Sequence, residues 1–315
     1  MDRHTFLKRL GILGASAGMP AALSSLMPSV SNGNLFFEIS LAEWSLHRAL
    51  QGGDITHLEF PEVARKQFGI GAVEYVNQFF ADKARNKAYL DELNNRCADL
   101  GVEQLIIMVD GEGELAVSNE KERKQAVENH HKWVEAAEYL GCHSIRVNTF
   151  GTGSRTSQKA SAVDSLGELS EFAQDYGINI LVENHGGYSS DGEWLTDVIR
   201  QVDMSNCGTL PDFGNFCIRR KDGARWGSEC VKEYNAYRGV EEMMPFARGV
   251  SAKSYAFDDA GAETTIDYRR MLKIIRDAGY SGHIGIEYEG SELDEYDGIR
   301  ATKKLLEQAG AALAD

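Results

Sequence analysis

Residues 178–187 read Ile-Asn-Ile-Leu-Val-Glu-Asn-His-Gly-Gly, a short apolar run that ends in charged and polar side chains. A helical pattern over 165–176 precedes this run, and Gly177 stands between the two. A glycine after a helix supplies the left-handed backbone that short helix-to-strand turns need. The stretch therefore predicts a helix, a tight turn, and a buried strand that ends in candidate functional groups.

The same unit recurs along the chain. Predicted strands cover 36–40, 72–77, 104–109, 144–148, 179–183, 208–212, 249–254 and 283–288. Predicted helices cover 86–100, 120–140, 165–176, 193–202, 241–247, 267–278 and 297–309. Eight strands that alternate with helices predict an α/β fold, a single-domain (β/α)₈ TIM barrel over residues 34–315. A doubly wound open sheet is the alternative, but it would usually carry a glycine-rich phosphate turn after the first strand, and the sequence has none there.

Composition limits the classes of partner. The chain has 315 residues, a net charge of −15 and 43% hydrophobic residues, enough for one large core. The negative charge disfavours nucleic acid and anionic membrane surfaces as partners, because both would repel the protein. A small-molecule partner is therefore expected.

The first 33 residues are predicted to be an export signal. Arg3, Lys8 and Arg9 make the N-terminal part of this segment basic. A weakly apolar stretch of small residues follows, and then a polar segment around 28–34. The basic part resembles the twin-arginine signal, with His4 in place of the second arginine. An exported, for example periplasmic, location is expected, and a tethered amphipathic helix is the alternative. A membrane-spanning anchor is disfavoured, because glycines and Pro20 interrupt the short apolar stretch.

The cysteines indicate no disulfide framework. The five are Cys97, Cys142, Cys207, Cys217 and Cys230, an odd number without a C-x-x-C pair. This pattern excludes a small, disulfide-stapled secreted fold. Most of the five are expected to be small apolar side chains.

A basic insertion follows the sixth predicted strand. Residues 219–227 read Arg-Arg-Lys-Asp-Gly-Ala-Arg-Trp-Gly and run on to Arg238 in an otherwise acidic protein. The segment is longer than a typical strand-to-helix loop. It is either a lid that brings Trp226 or an arginine to a substrate, or a plain surface or homo-oligomer contact.

Three predicted strands end in a carboxylate: Glu183, Asp212 and Glu287. In a barrel of this kind the functional groups sit at the C-terminal strand ends. A charged group that closes an apolar strand is costly unless it is paired or metal-bound. Residues two apart on a strand share a face, so His185 and Glu289 are expected beside Glu183 and Glu287. Without evident cationic cover, three converging carboxylates favour a hard divalent ion such as Mn²⁺ or Mg²⁺.

These strand ends resemble those of the xylose-isomerase-like barrels, a superfamily of sugar isomerases and epimerases. The resemblance rests on VENHGG with Glu183, PDFGN with Asp212, SAKS with Lys253 and GIEYEG with Glu287, and it runs through nearly all of residues 35–310. It implies that Glu183, Asp212 and Glu287 hold a divalent metal (Mn, Mg or Co). It also implies that the two glutamates act as acid and base.

Two positions depart from the family pattern. Asn215 and Ser251 stand where the family normally has histidine ligands. Their replacement weakens the expected metal binding and argues against a zinc cluster of the endonuclease kind. His185 is interpreted either as a substitute ligand or as a residue that orients Glu183. Lys253 is interpreted either as a cation that assists catalysis, together with His185, or as one half of a rim salt bridge with Glu287.

Substrate hints favour an unphosphorylated carbohydrate. In many barrels the loops after strands seven and eight bind a phosphate group of the substrate. Here both loops are acidic and would repel a phosphate ester. The candidate substrate-binding residues are Trp44, Glu74, Asn148, Asn215 and Trp226. The first hypothesis is an isomerase or epimerase that moves a proton next to a sugar carbonyl. The alternatives are a lyase or hydrolase that acts on a 3-keto-glycoside, and a non-catalytic carbohydrate-binding barrel.

Overall fold

Eight parallel strands form one sheet in the computed structural model, which describes residues 35–313. They are β1 (Glu38–Ala42), β2 (Ala72–Val76), β3 (Glu103–Met108), β4 (Ser144–Val147), β5 (Asn179–Glu183), β6 (Cys207–Leu210), β9 (Val250–Ser254) and β10 (His283–Tyr288). The order is β6-β5-β4-β3-β2-β1-β10-β9. Parallel bridges from Thr209 to Ala247 and from Asp212 to Ser251 join the two outer strands. The predicted TIM barrel is therefore confirmed.

Helices surround the sheet, as the apolar faces of the strands require. They are α1 (His47–Gly52), α2 (Phe60–Phe68), α3 (Lys87–Leu100), α4 (Glu120–Leu140), α5 (Arg155–Gln174), α6 (Gly192–Val202), α7 (Ala236–Met243), α8 (Tyr268–Asp277) and α9 (Glu295–Ala311). Most begin at a side-chain cap: Asn86, Asn119, Ser154, Asp191, Asn235, Asp267 and Asp294 accept hydrogen bonds from backbone N–H groups of the first turn.

Two elements differ clearly from the sequence prediction. Helix α5 begins ten residues before the predicted start at 165, because the Ser154 side chain caps an earlier first turn. Helix α7 begins at Ala236, capped by Asn235, and ends at Met243, whereas the prediction placed it over 241–247. A 3₁₀ turn that contains Pro245 follows it (Met244–Phe246) and accounts for the early end. Helices α1 and α2 were not predicted.

The basic insertion forms an antiparallel hairpin of β7 (Cys217–Arg220) and β8 (Cys230–Glu233). Cys217 of β7 and Cys230 of β8 form a disulfide, with their Cα atoms 5.8 Å apart. For this pair the expectation of apolar thiols was therefore wrong. Cys97, Cys142 and Cys207 are free and buried, as expected.

The predicted export signal, residues 1–33, lies outside the described residues. Among residues 35–313, no helix has both the length and the apolar character that a membrane crossing requires.

Candidate active site at the C-terminal end of the barrel

The three predicted carboxylates meet at the C-terminal end of the sheet. Glu183 ends β5, Glu287 is the penultimate residue of β10, and Asp212 lies two residues after the end of β6. Ligand oxygens of all three lie within 4.8 Å of one another. All three residues are buried. We call this group the acidic triad.

Lys253 lies against the triad instead of on the rim. Its Nζ is 3.1 Å from Oε1 of Glu287, 3.3 Å from Oε2 of Glu289 and 3.8 Å from Oδ2 of Asp212. The side chain is buried. Burial alone would lower the pKa of Lys253, but these carboxylates raise it well above the usual lysine value. Lys253 is therefore charged and buried, which excludes the solvent-exposed salt bridge.

Arg146 supplies a second cation. It rises from β4, and its Nε lies 2.9 Å from Oε2 of Glu183, although the N–H is not aligned for a hydrogen bond. Its Nη1 lies 2.9 Å from Oδ1 of Asp110 and donates to it. Burial would raise the pKa of Asp110, but the charge of Arg146 lowers it to about 2. Two cationic side chains, Lys253 and Arg146, therefore lie beside the triad, whereas none was evident from the three strand ends.

Ser251 bridges two members of the triad. Its Oγ lies 2.7 Å from Oδ2 of Asp212 and 2.6 Å from Oε2 of Glu287. A hydroxyl donates one hydrogen, so one of these contacts needs a proton on the carboxyl group. Burial raises the pKa of Asp212 well above its ordinary value, whereas for Glu287 burial is outweighed by Lys253 and the pKa is lowered. The directions of these two pKa shifts favour Asp212 over Glu287 as the carrier of that proton.

Glu183 and Asp212 are also held by polar groups of the sixth strand end. The side-chain amide of Asn215 donates to Oε1 of Glu183 at 3.0 Å. The backbone N–H groups of Gly214 and Asn215 donate to Oδ1 of Asp212, both at 2.8 Å. Burial, opposed by Arg146 and reinforced by Glu287, raises the pKa of Glu183 to about 7.

His185 does not contact the triad. Asn148 donates its amide N–H to Asp110, so its Oδ1 must accept from Nδ1 of His185 at 2.7 Å. Nε2 of His185 is then left with its lone pair. Burial lowers the pKa of His185 to about 3, which keeps the ring neutral. The ring neither orients Glu183 nor belongs to the triad.

A cavity of about 670 Å³ opens above this floor. Of the predicted site residues, its walls include Trp44, Asn148, His185, Asn215, Trp226 and Glu287. Glu183, Asp212 and Lys253 do not line the cavity but lie within contact distance of Asn215 or Glu287, which do. The indole N–H of Trp44 also donates to Glu289.

Glu74 does not line the cavity. Ser40 donates to its Oε1 at 2.6 Å inside the barrel, and a Cβ at Gly285 would lie 2.7 Å from both of its carboxylate oxygens. Burial raises the pKa of Glu74 to about 7, although Ser40 opposes the shift. The structure thus places this residue in the barrel interior instead of on the predicted substrate surface.

The hairpin between β7 and β8 brings two side chains to the cavity wall. The ring of Trp226 lies 4.7 Å from that of His185 and 6.3 Å from that of Phe150, centroid to centroid. Arg225 lies 3.8 Å above the Phe150 ring and pairs with Glu114. Both Trp226 and Arg225 line the cavity.

The oxygen donors of the triad fit a hard divalent ion, because three carboxylates within 4.8 Å match its preference for oxygen ligands. Such an ion would displace the proton favoured on Asp212, and its charge would be opposed by Lys253.

Some of the side chains that contact the triad were not predicted to do so from the sequence. The pairing of Arg146 with Glu183 was not predicted. An arginine inside the short apolar strand β4 was the available signal, because such a charge needs a buried partner. Ser251 was seen only as a lost histidine, and not as a bridge between carboxyl groups.

Two relatives resemble the chain in sequence. One stretch is 34% identical over 74 residues to the C-glycoside deglycosidase alpha subunit of Arthrobacter globiformis and covers 22% of this chain and 20% of that subunit. An uncharacterised protein of Methanocaldococcus jannaschii is 26% identical over 220 residues, which cover 64% of this chain and 69% of that protein.

Solved structures share the fold at low identity. The IOLI protein with a bound zinc atom superposes with a TM-score of 0.66 at 15% identity, over 88% of this chain and 99% of that one. A xylose isomerase-like protein of Mycobacterium smegmatis in complex with magnesium gives 0.63 at 14%, over 89% and 98%. The 3-keto-D-glucoside 4-epimerase of E. coli gives 0.62 at 13%, over 87% and 100%.

At these identities the solved structures establish the fold alone. The sequence itself establishes more, because residues 63–309 match the family described as the xylose isomerase-like TIM barrel, and this span is more than half of the chain. The acidic triad stands at the C-terminal strand ends of that same span. The chain belongs to the xylose isomerase-like TIM barrel family.

Proposed function

We propose that the protein is an enzyme that transfers a proton next to the carbonyl of an unphosphorylated sugar, as isomerases and epimerases do. The observation that carries this proposal is the meeting of Glu183, Asp212 and Glu287 within 4.8 Å directly beneath a large cavity, whose wall Glu287 reaches. Two aromatic side chains of the cavity wall, Trp44 and Trp226, offer faces on which a sugar ring can stack.

Glu183 and Glu287 would exchange the proton with the substrate carbon, one as base and the other as acid. They stand on β5 and β10, which are not neighbours in the sheet, so they approach a bound sugar from different sides. Lys253 holds Glu287 in place through a 3.1 Å contact and puts a positive charge near any oxyanion that develops. His185 presents the lone pair of Nε2 as an acceptor for a sugar hydroxyl.

A divalent ion would be held by Glu183, Asp212 and Glu287. When bound, it would polarise the carbonyl oxygen of the substrate and so ease loss of the neighbouring proton. An all-oxygen set favours Mg²⁺ or Mn²⁺, with Co²⁺ as the third candidate, and disfavours zinc.

A lyase or hydrolase that acts on a 3-keto-glycoside is the second candidate. In this reaction the same proton abstraction expels the aglycone, so the site must have space for the aglycone as well as for the sugar. The hairpin adds such room beside the cavity, since Trp226 and Arg225 also line a second cavity of about 770 Å³. The partial sequence match to a C-glycoside deglycosidase subunit supports this candidate.

Metal analysis and a substrate panel test the proposal together. About one equivalent of Mn, Mg or Co in the purified protein, lost in the Glu183→Ala/Asp212→Ala double variant, is expected. A panel of free ketoses and 3-keto-glycosides then separates the two candidates, because isomerisation conserves mass and elimination releases an aglycone. Sugar affinity without turnover on either set would contradict both and favour a binding protein.

We also propose that the protein works outside the cytoplasm. The Cys217–Cys230 disulfide supports this location, because disulfides persist in oxidising compartments. Fractionation of the native host with an antibody against the barrel tests it, and a purely cytoplasmic signal would contradict it.

A further inference from the structure

A second cavity lies between the hairpin and the loops that follow β4 and β5. Its volume is about 770 Å³, and it shares Glu114, Phe150, Arg225 and Trp226 with the first cavity. The two cavities therefore have a common wall, built from the hairpin tip and from the loop after β4. The lyase or hydrolase candidate needs this cavity only as space for an aglycone and makes no use of its charged side chains.

The two cavities differ in charge. The acidic side chains of the first cavity are Asp110, Glu112, Glu114, Glu287 and Glu289, against Arg146 and Arg225. The walls of the second contain Arg219, Arg220, Arg225 and Lys232, with Glu114 as the single carboxylate. In a chain with a net charge of −15, this local reversal singles out the second cavity.

Most of these cations have no carboxylate partner. Arg225 is neutralised by Glu114. Arg220 donates to the backbone oxygens of Arg225 and Ser228 and forms no ion pair among the described residues, although a hydrogen bond from Ser228 and, to a smaller extent, the charge of Arg220 lower the pKa of the nearby Asp222. Within residues 35–313, Arg219 and Lys232 form no ion pair, and their side chains are exposed. Within the described part of the chain, three cationic side chains of one cavity thus have no ion-paired carboxylate.

The same cavity also has aromatic walls. Tyr188 lines the far side, while Phe150 and Trp226 form the shared wall. The disulfide between Cys217 and Cys230 ties the strands that carry Arg219 and Lys232, so the cations are held in place relative to the rings. Aromatic faces beside unpaired cations are the chemistry that accommodates a flat, negatively charged group.

We infer that the second cavity is a subsite for a flat, anionic group attached to the reacting sugar. The substrate would then be a conjugate that spans the common wall at Trp226, with its sugar above the acidic triad and its anionic aromatic part between Tyr188 and the hairpin. This inference deepens the proposed function, since it rests on a sugar in the first cavity and names the class of its substituent.

Equilibrium binding tests the subsite without turnover. The probes are the 4-carboxyphenyl and 4-carbamoylphenyl glycosides of glucose and galactose, which differ in charge but hardly in shape. By titration calorimetry at low salt, the wild type is expected to bind a carboxylate probe about tenfold or more tightly than its amide. The Arg219→Gln/Lys232→Gln variant is expected to bring that ratio close to one.

A matched variant controls for net charge. Lys124→Gln/Lys221→Gln removes two exposed lysines that lie outside the cavity wall, so it should keep the preference of the wild type. Equal affinity for both probes, no measurable binding of either carboxylate probe, or an undiminished preference in Arg219→Gln/Lys232→Gln would overturn the inference. A carboxylate preference without turnover of any panel sugar would instead contradict the proposed reaction and leave the subsite standing.

Discussion

The Nζ of Lys253 lies 3.1 Å from Oε1 of Glu287, so a positive charge of the protein itself lies beside the carboxylates that the family resemblance assigns to a metal. Lys253 also reaches Glu289 and Asp212. The carboxylates therefore have a side-chain partner that would compete with a divalent ion for them.

Replacement of Lys253 should weaken the fold and strengthen cation binding. Lys253→Met leaves buried carboxylates without their partner, at an expected cost of about 3–5 kcal/mol in the free energy of unfolding. Addition of Mn²⁺ should then raise the melting temperature more in the variant than in the wild type. Lys273→Met, which removes an exposed helix pair with Asp277, is the control and should cost less than about 1 kcal/mol. Equal effects of the two changes would contradict a structural role for Lys253.

Loss of either candidate proton-transfer group should abolish turnover without loss of sugar binding. Glu183→Gln is expected to lower kcat by about 10²–10⁴-fold, because the amide neither accepts nor returns the proton. Glu292→Gln changes an exposed glutamate in the loop after β10 and serves as the control. A Glu183→Gln enzyme with wild-type kcat on the substrate that the panel identifies would refute the assigned role.

Restoring a histidine near Glu183 should improve metal binding. Asn215 lines the cavity and donates to Glu183, so an imidazole there has space and a ligand position beside the triad. We expect Asn215→His to bind Mn²⁺ or Zn²⁺ at least about tenfold more tightly in calorimetric titrations. Asn215→Ala, which removes the amide and adds no ligand, should show no such gain. If both variants bind metal alike, the triad does not hold an ion at this position.

The buried Glu74 should make stability depend on pH. Its pKa is raised from 4.5 to about 7 in the folded protein, so its contribution to stability is fully present below about pH 4.5 and is lost as the pH rises through 7. The shift corresponds to a loss on the order of 3 kcal/mol. Glu74→Gln removes this penalty and should therefore gain stability over the wild type at pH 8 but not at pH 4.5. Glu103→Gln, at an exposed strand start, should follow the wild type at both values.

Loss of the disulfide should make the hairpin more accessible to protease and leave the stability of the barrel unchanged. Cys217→Ser/Cys230→Ser is expected to speed trypsin cleavage between residues 217 and 230, while the melting temperature of the barrel stays the same. The reason is that the bond closes a short local segment with a sequence separation of 13. Cys207→Ser, at a buried thiol outside the hairpin, is the control for loss of a cysteine. An unchanged cleavage rate would show that packing of Trp226 alone holds the hairpin.

Strand alternation and strand-end chemistry were predictable from the sequence. Glu183, Asp212 and Glu287 each close an apolar run, and parallel strands bring such ends together. The partners of these groups were not predictable, because the reach of Arg146 to Glu183 depends on the register of β4 against β5. The Cys217–Cys230 disulfide likewise depends on the formation of the β7–β8 hairpin, which the spacing of the cysteines does not determine.

The closure of the barrel has a further consequence for how this site can change. The ring of strands is completed beside the triad by backbone hydrogen bonds, from the N–H of Ser251 to the oxygen of Pro211 and from the N–H of Phe213 to the oxygen of Ser251. Main-chain groups make these bonds whatever side chain residue 251 carries. A hydroxyl can therefore replace an imidazole at this position while the ring of strands stays closed. The chemistry of the site can thus change at the place where the barrel closes, without loss of the fold.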